Sequence, residues 1–512
     1  MQTLTTSTHP PLIRRCLLLA AIVAGLASPG GSLKAAELLA GAAKVDITDY
    51  DAGPVNDPLF VKALVIRSGE TTLAIITVDA VAIGEIGRIG NDYLDTVRAQ
   101  IEKELQIAPQ NVFANASHCH GVVSHDVDVK TVEAVRQAAQ QLVPVRIGTG
   151  TGHEDRVMEN RRLKLKDGRT IDVRHAYAMP ADEDVVEPGP IDPEIGVLRL
   201  DRLDGSTLAV VYTYSGHPIQ SVPGNANTAD ISGFASQVIE DNLSDDTIAL
   251  FVQGCGGDIN PVAYKNVFHP RHAEPPGNLL GLSTLKAVRS IETRDDGRLK
   301  VINETLTLPR ADLAGKIAEA EDEQLRLARS LGGTSLNLKT FQELTIKYRL
   351  SPEFPSAYSY RYLNERGLGR DDLDQMDAAN RRDLERYLRN VKIMEQLTRL
   401  NTNLRLLKKH QASAVAAGSR TIDVEVGGLR IGDFVLITFP GELVVQIGLN
   451  IKATSPHDAT FVAGYTNGYI YYCPTAEQLQ NRGGAQEDSD CMLAPEWQAL
   501  FEKKAADLLN RL

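Results

Sequence analysis

The segment Asn115-Ala-Ser-His-Cys-His-Gly121 carries two imidazoles one residue apart. On an extended backbone alternate side chains share a face, so His118 and His120 can point into one site. One could ligate a metal while the other moves a proton or supports the ligand; packed or surface histidines would give the same spacing. A third imidazole, His217, lies in Tyr214-Ser-Gly-His-Pro218, at the end of a strand-like run and ahead of a loop with Asn225, Asn227, Asp230 and Ser232. Neutral imidazole is the commonest zinc ligand, and ligands delivered from the ends of different strands suit an α/β site. A turn-capping histidine is the alternative reading.

Three further segments belong with these. Phe251-Val-Gln-Gly-Cys-Gly-Gly-Asp-Ile-Asn-Pro261 is a strand followed by a glycine-rich turn that would present Asp258 and Asn260. Glycines there let the backbone bend sharply or approach a ligand, and a purely structural turn would look alike. Thr438-Phe-Pro-Gly-Glu-Leu443 leaves a single carboxylate, Glu442, at the start of an apolar helical pattern. Acidic groups favour helix N-termini, so a solvated helix-start glutamate competes with a metal ligand. Tyr465-Thr-Asn-Gly-Tyr-Ile-Tyr-Tyr-Cys-Pro474 is crowded with tyrosines, a pattern suited to core packing or to aromatic substrate contact.

The elements that must position these residues alternate. Short β-branched runs at Ala43–Ile47, Val61–Ile66 and Leu73–Asp79 precede a helical pattern at Asn91–Leu105 and another strand at Asn111–Ala116. Strands follow at Pro144–Thr149, Ile195–Leu200, Leu208–Tyr214 and Thr247–Val252, and again at Thr421–Val426 and Phe434–Thr438. This alternation predicts an α/β class, with mixed sheet layers, at least one partly parallel sheet and covering helices. Between about 311 and 417 the chain turns charged and amphipathic, with Leu325, Leu327, Leu331, Leu384, Tyr387, Leu388, Val391, Met394 and Leu397 at helical spacing. A helical insertion, serving as a lid or simply covering one face, is expected there. Pro495–Leu512 reads as a closing amphipathic helix.

The 512 residues are 43% hydrophobic, enough for a large core, and the net charge of −12 excludes a general nucleic-acid grip. Arg14 and Arg15 precede an apolar run, Cys16 to Ala27, followed by small residues. Residues 1–36 are therefore expected to be a signal peptide, too short in its apolar part to span a bilayer, and the mature chain to be exported, periplasmic or secreted. Of the four remaining cysteines, Cys473 and Cys491 flank one loop-rich stretch and are the expected bridge. Buried free thiols are the alternative.

Taken in order, Lys44-Val-Asp-Ile-Thr48, Asp57-Pro-Leu-Phe-Val-Lys-Ala63, Val78-Asp79, Ala116-Ser-His-Cys-His-Gly121, Asn160-Arg161, Gly216-His-Pro218, Gly257-Asp-Ile-Asn-Pro261, Pro440-Gly-Glu442 and Asn467-Gly-Tyr-Ile-Tyr-Tyr472 resemble the neutral/alkaline, non-lysosomal ceramidase family. The resemblance runs through most of residues 37–512, which it implies form one ceramidase-like catalytic domain. It implies a zinc ion held by His118, His217, Glu442 and Tyr472, with His120 and Arg161 around the scissile amide. Where that family carries a serine in its glycine-rich turn, this chain has Asn260, whose amide cannot act as a hydroxyl nucleophile. A zinc-activated water remains available. An immunoglobulin-like C-terminal domain, found in the family's bacterial and animal ceramidases, is not expected in this chain.

The function these residues imply is zinc-dependent hydrolysis of an N-acyl amide in a ceramide-like lipid, with Asp258 and Asn260 shaping the site. Peripheral contact with a membrane is compatible with that substrate. A zinc hydrolase of another ester, lactone or carbohydrate derivative is the first alternative, to be separated by a substrate panel. A non-catalytic binding protein on the same scaffold is the second, disfavoured by the joint presence of His118, His120, Arg161, His217, Glu442 and Tyr472.

Overall fold

The structure, a computed structural model, describes residues 37–512 except 174–179, 267, 269, 482 and 483. The expected signal peptide, 1–36, lies outside the described residues.

Two sheets stack face to face with helices on both outer sides. The larger has eight strands, running in spatial order from Ile248–Gln253 through Thr207–Tyr214, Glu194–Arg202, Val143–His153, Leu38–Asp46, Phe60–Ser68 and Thr71–Val78 to Val112–Ala116. Phe60–Ser68 reads almost continuously apolar because both its faces are covered, which erases the usual in-out alternation. Val61, Ala63 and Val65 join a cluster with Val97, Ile101, Val132 and Val135 of the helices Tyr93–Leu105 and Val127–Gln140. Leu64 and Ile66 instead meet Leu429, Phe434 and Phe461 of the second sheet. That sheet has four strands, Leu299–Pro309, Thr421–Ile431, Phe434–Thr438 and Thr460–Ala463. The expected mixed α/β architecture is what the chain adopts.

Most neighbouring strands are antiparallel, and the exceptions matter. Thr71–Val78 runs parallel to Val112–Ala116, Thr207–Tyr214 to Ile248–Gln253, and Phe434–Thr438 to Thr460–Ala463. A two-residue pair, Glu442–Leu443 with Tyr472–Cys473, is also parallel. The end strands of the large sheet come together at their C-terminal ends, where the Gln253 amide donates to Asn115 Oδ1 at 2.9 Å. Carboxyl ends of parallel strands leave a crevice that the sheet itself cannot fill, and the candidate residues emerge there.

The helical stretch comprises Ala314–Ser330, Leu338–Leu350, Ser359–Gly367 and a 46-residue helix, Asp372–Ala417. At about 1.5 Å per residue the last is roughly 70 Å long. It begins with Asp372 and Asp374 in its first turn and stops at Gly418, whose φ of 62° gives the left-handed turn that ends helices. Of the residues spaced for a buried stripe, Leu327 is buried, whereas Leu325, Leu388 and Met394 are exposed.

Candidate metal centre

His118 follows the strand Val112–Ala116 and takes a φ of 65°; Tyr465 and Tyr471, also at the site, have φ of 51° and 62°. Bulky residues rarely adopt this conformation, and it persists where surrounding structure holds it. Each of the two buried imidazoles is held by a carbonyl. His118 Nδ1 lies 2.6 Å from Val81 O, and His217 Nδ1 lies 3.0 Å from Gly256 O. A carbonyl only accepts, so both Nδ1 atoms carry the proton. Burial first, then the neighbouring His118 and Arg161, holds His217 well below its ordinary pKa.

The consequence is a conflict. The Nε2 atoms of His118 and His217 face each other at 3.0 Å. In neutral rings both would present lone pairs, an arrangement that needs a positive centre, a proton or a metal ion, between them. Glu442 Oε2 lies 3.5 Å from His118 Nε2 and supplies negative charge at the same point. Ring nitrogens of His118, His120 and His217 fall within 4.8 Å of one another, a group that could hold a metal; His120 is the exposed member. Two overlapping donor sets therefore share His118 and His217.

Glu442 precedes the helix Val445–Thr454 and is in extended conformation, paired in register with Tyr472. It is a buried carboxylate, not the solvated helix-start residue its position suggested. The Tyr465 hydroxyl donates to its Oε2 at 3.2 Å and Tyr469 donates to Oε1. Burial, then the Glu442 charge, pushes both phenols well up, so they stay protonated as donors. Tyr472 accepts from Arg161 Nη2 at 3.3 Å. Arg161 is itself buried, donating to Glu487 at 2.6 Å, to Gly257 O at 2.6 Å and to Asn260 Oδ1 at 3.0 Å.

His118, His120, Arg161, His217, Glu442 and Tyr472 line one cleft of roughly 600 Å³, together with Asp230, Tyr264, Arg271, Lys409 and Asp490. Asp258 and Asn260 stand behind it. Asp258 accepts from the Val445 amide at 2.8 Å, at the start of a helix, and from Asn160 at 3.1 Å. Asn260 reaches the site through Arg161. The glycine-rich turn is tight against protein, since a Cβ on Gly256 would lie 2.1 Å from Gly216 O and one on Gly257 2.5 Å from Glu442 O.

Asp79 and Asp230, each a natural choice to orient an imidazole, do something else. Asp79 accepts the Phe60 amide, and Asp230 the amides of Gln220, Ser221 and Ile231. Burial raises both carboxyls to about 6. The expected Cys473–Cys491 bridge is absent: Cys119, Cys255, Cys473 and Cys491 are buried free thiols. Sequence reasoning missed Tyr465 and Tyr469 as supports of Glu442, Glu487 as the partner of Arg161, and Lys409 as a cleft residue.

No family model and no curated protein matches the chain. Among solved structures it is similar to the neutral ceramidase from Pseudomonas aeruginosa, with a TM-score of 0.57 and 16% identity over 93% of this chain and 75% of that one. A ceramidase complexed with C2 gives the same TM-score and identity, over 93% of this chain and 76% of that chain. The polypeptide therefore has a ceramidase-like fold.

Proposed function

We propose that this chain is an exported zinc-dependent hydrolase that cleaves an N-acyl amide. The observation that carries the reading is the pair of imidazoles whose outer nitrogens are fixed by carbonyls while their inner nitrogens meet at 3.0 Å. His118, His217, Glu442 and Tyr472 are the ligands in this reading. All four are buried, and each is held by a second partner, as stable metal sites require. Two imidazoles, a carboxylate and a phenol suit zinc, although other first-row ions compete for such donors.

Zinc bound there would polarise an acyl carbonyl and make hydroxide available near neutral pH. In this reading His120, exposed beside His118 with ring centroids 5.5 Å apart, hands a proton to the departing nitrogen. The Arg161 guanidinium places positive charge beside the Tyr472 oxygen and keeps that ring in position. Asn260 and Asp258 act at one remove, Asn260 by fixing Arg161 and Asp258 by anchoring the turn to the helix Val445–Thr454. The likeness to ceramidases supports an amide of a fatty acid as substrate. Exposed Leu350, Tyr360 and Leu363 on the helical insertion support a peripheral contact with lipid, and among the described residues no helix is long and apolar enough to cross a membrane.

Metal analysis of the purified protein, joined to an assay on a fluorogenic short-chain ceramide for the native chain and His217→Ala, tests the proposal. One zinc per chain with metal-dependent cleavage, both lost in the variant, is the expected result. Zinc without amide cleavage points to another hydrolase, and absence of both overturns the reading.

A further inference from the structure

The geometry points to an anionic substituent on the substrate, a carboxylate or phosphate bound at the cleft mouth by Lys409 and Arg271. This rests on the hydrolase reading and names its substrate class. The cleft contains carboxylates and cations, and they differ in how they are engaged. Asp230 accepts three backbone amides, Glu442 accepts from two tyrosines, and Asp490 accepts from His410 at 2.7 Å. Arg161 is bound to Glu487. Lys409 and Arg271 are the contrast: among the described residues neither forms an ion pair with a carboxylate.

Each of the two is instead carried on an aromatic ring that also lines the cleft. Lys409 Nζ lies 4.1 Å from the centre of Tyr471, and the Arg271 guanidinium carbon lies 4.3 Å from that of Tyr264. A ring face holds a cation in place without neutralising it, so its charge remains available to a ligand. Lys409 is also singular among its neighbours in the long helix. Lys408 is paired with Glu321 and His410 with Asp490. In a chain of net charge −12, two held cations at the mouth of a cleft whose own acids are engaged make a local positive site. Ammonium and guanidinium groups both recognise carboxylate and phosphate oxygens.

Two matched pairs of amides test this with the full-length mature protein: N-hexanoylglutamate against N-hexanoylglutamine, and N-hexanoyl-phosphoethanolamine against N-hexanoylethanolamine. Discrimination of at least tenfold in kcat/KM for the charged member is expected, residing in KM and weakened by salt. Lys409→Met and Arg271→Met should each reduce the ratio, the double variant should bring it near one, and Lys409→Arg should restore most of it. The pair giving the larger ratio identifies the anion as carboxylate or phosphate. Equal kcat/KM within both pairs would overturn the inference and leave the hydrolase reading standing, as would a ratio that survives in the double variant. If nothing is turned over, the amide-hydrolase reading has failed, and calorimetric binding of the same four compounds decides. Tighter binding of the charged members, lost in the double variant, supports the anion site; equal or undetectable binding overturns it.

Discussion

Arg161 Nη2 stands 3.3 Å from the Tyr472 hydroxyl, and the arginine is fully buried with Glu487 as its carboxylate partner. Breaking a buried pair from one side leaves the other charge without compensation, at a cost of about 3–5 kcal/mol. Arg161→Met is expected to lose stability on that scale, softened by Arg162, whose Nη2 is 3.6 Å from Glu487. The double variant Arg161→Met with Glu487→Gln should recover stability in urea denaturation but not activity. Recovery of both would show that Arg161 serves the fold alone.

Tyr469 and Tyr465 hold the two oxygens of Glu442. Removing a partner that orients a metal ligand typically lowers affinity by about 10–100-fold. Tyr469→Phe is expected to bind zinc more weakly by such a factor in a chelator competition, with a lower melting temperature as well, since a buried carboxylate loses a donor. Unchanged affinity would remove Glu442 from the ligand set.

Gly256 lies where a methyl group would sit 2.1 Å from Gly216 O, next to His217. Gly256→Ala forces that backbone apart and should destabilise by about 1–3 kcal/mol. Because His217 Nδ1 is bound to the Gly256 carbonyl, zinc affinity should fall together with melting temperature. A variant that lost stability but bound zinc normally would show that the turn does not orient the imidazole.

Glu304 receives hydrogen bonds from Lys504 and Arg511, which tie the strand Leu299–Pro309 to the C-terminal helix Trp497–Arg511. These bonds, first Arg511 and then Lys504, hold its carboxyl at about 2, below an ordinary 4.5. A depressed carboxylate stabilises the fold above its unfolded pKa, and that stabilisation fades as pH falls from about 4.5 through 2. Glu304→Gln should therefore melt below the native protein at pH 7, with a gap that closes toward pH 2. The Glu304–Lys504 pair is partly exposed, so 1 M salt should also narrow the gap. A gap independent of pH would contradict the charge-based account.

Four buried thiols make a chemical prediction as well. Burial raises Cys491 to about 12, and it pushes the other three upward also. Native protein should react slowly with a thiol reagent, and all four should become reactive on denaturation. A melting temperature that drops on adding reductant would restore the Cys473–Cys491 bridge.

Much of this fold was legible because its signals are local. Val61–Ile66 and Leu208–Tyr214 are short β-branched runs between turn residues, and the structure finds strands at Phe60–Ser68 and Thr207–Tyr214. The helical character of 311–417 was equally plain, being four helices long. What escaped notice depends on distance along the chain. Arg161 and Glu487 are more than three hundred residues apart, and neither carries a local sign of the other. Glu442–Leu443 and Tyr472–Cys473 are too short to show periodicity, so Glu442 resembled the start of a helix. Carboxylates often orient liganding imidazoles, yet Asp79 and Asp230 accept backbone amides instead. Backbone carbonyls took that role, and backbone atoms leave no trace in residue types.

The helical arm departs from Pro309 and returns at Thr421, two residues directly opposite each other across an antiparallel pair. A tight turn could join those ends, since the entropy of closing a loop grows only with the logarithm of its length. The arm is thus a cassette, exchangeable without disturbing the register of the sheet beneath. Yet its last helix carries Lys409 back to the cleft. Only one of the two cleft cations travels with it, since Arg271 comes from the loop before the helix Glu274–Ser290, so an exchange of the arm would alter half of the proposed anion site and leave the buried centre intact.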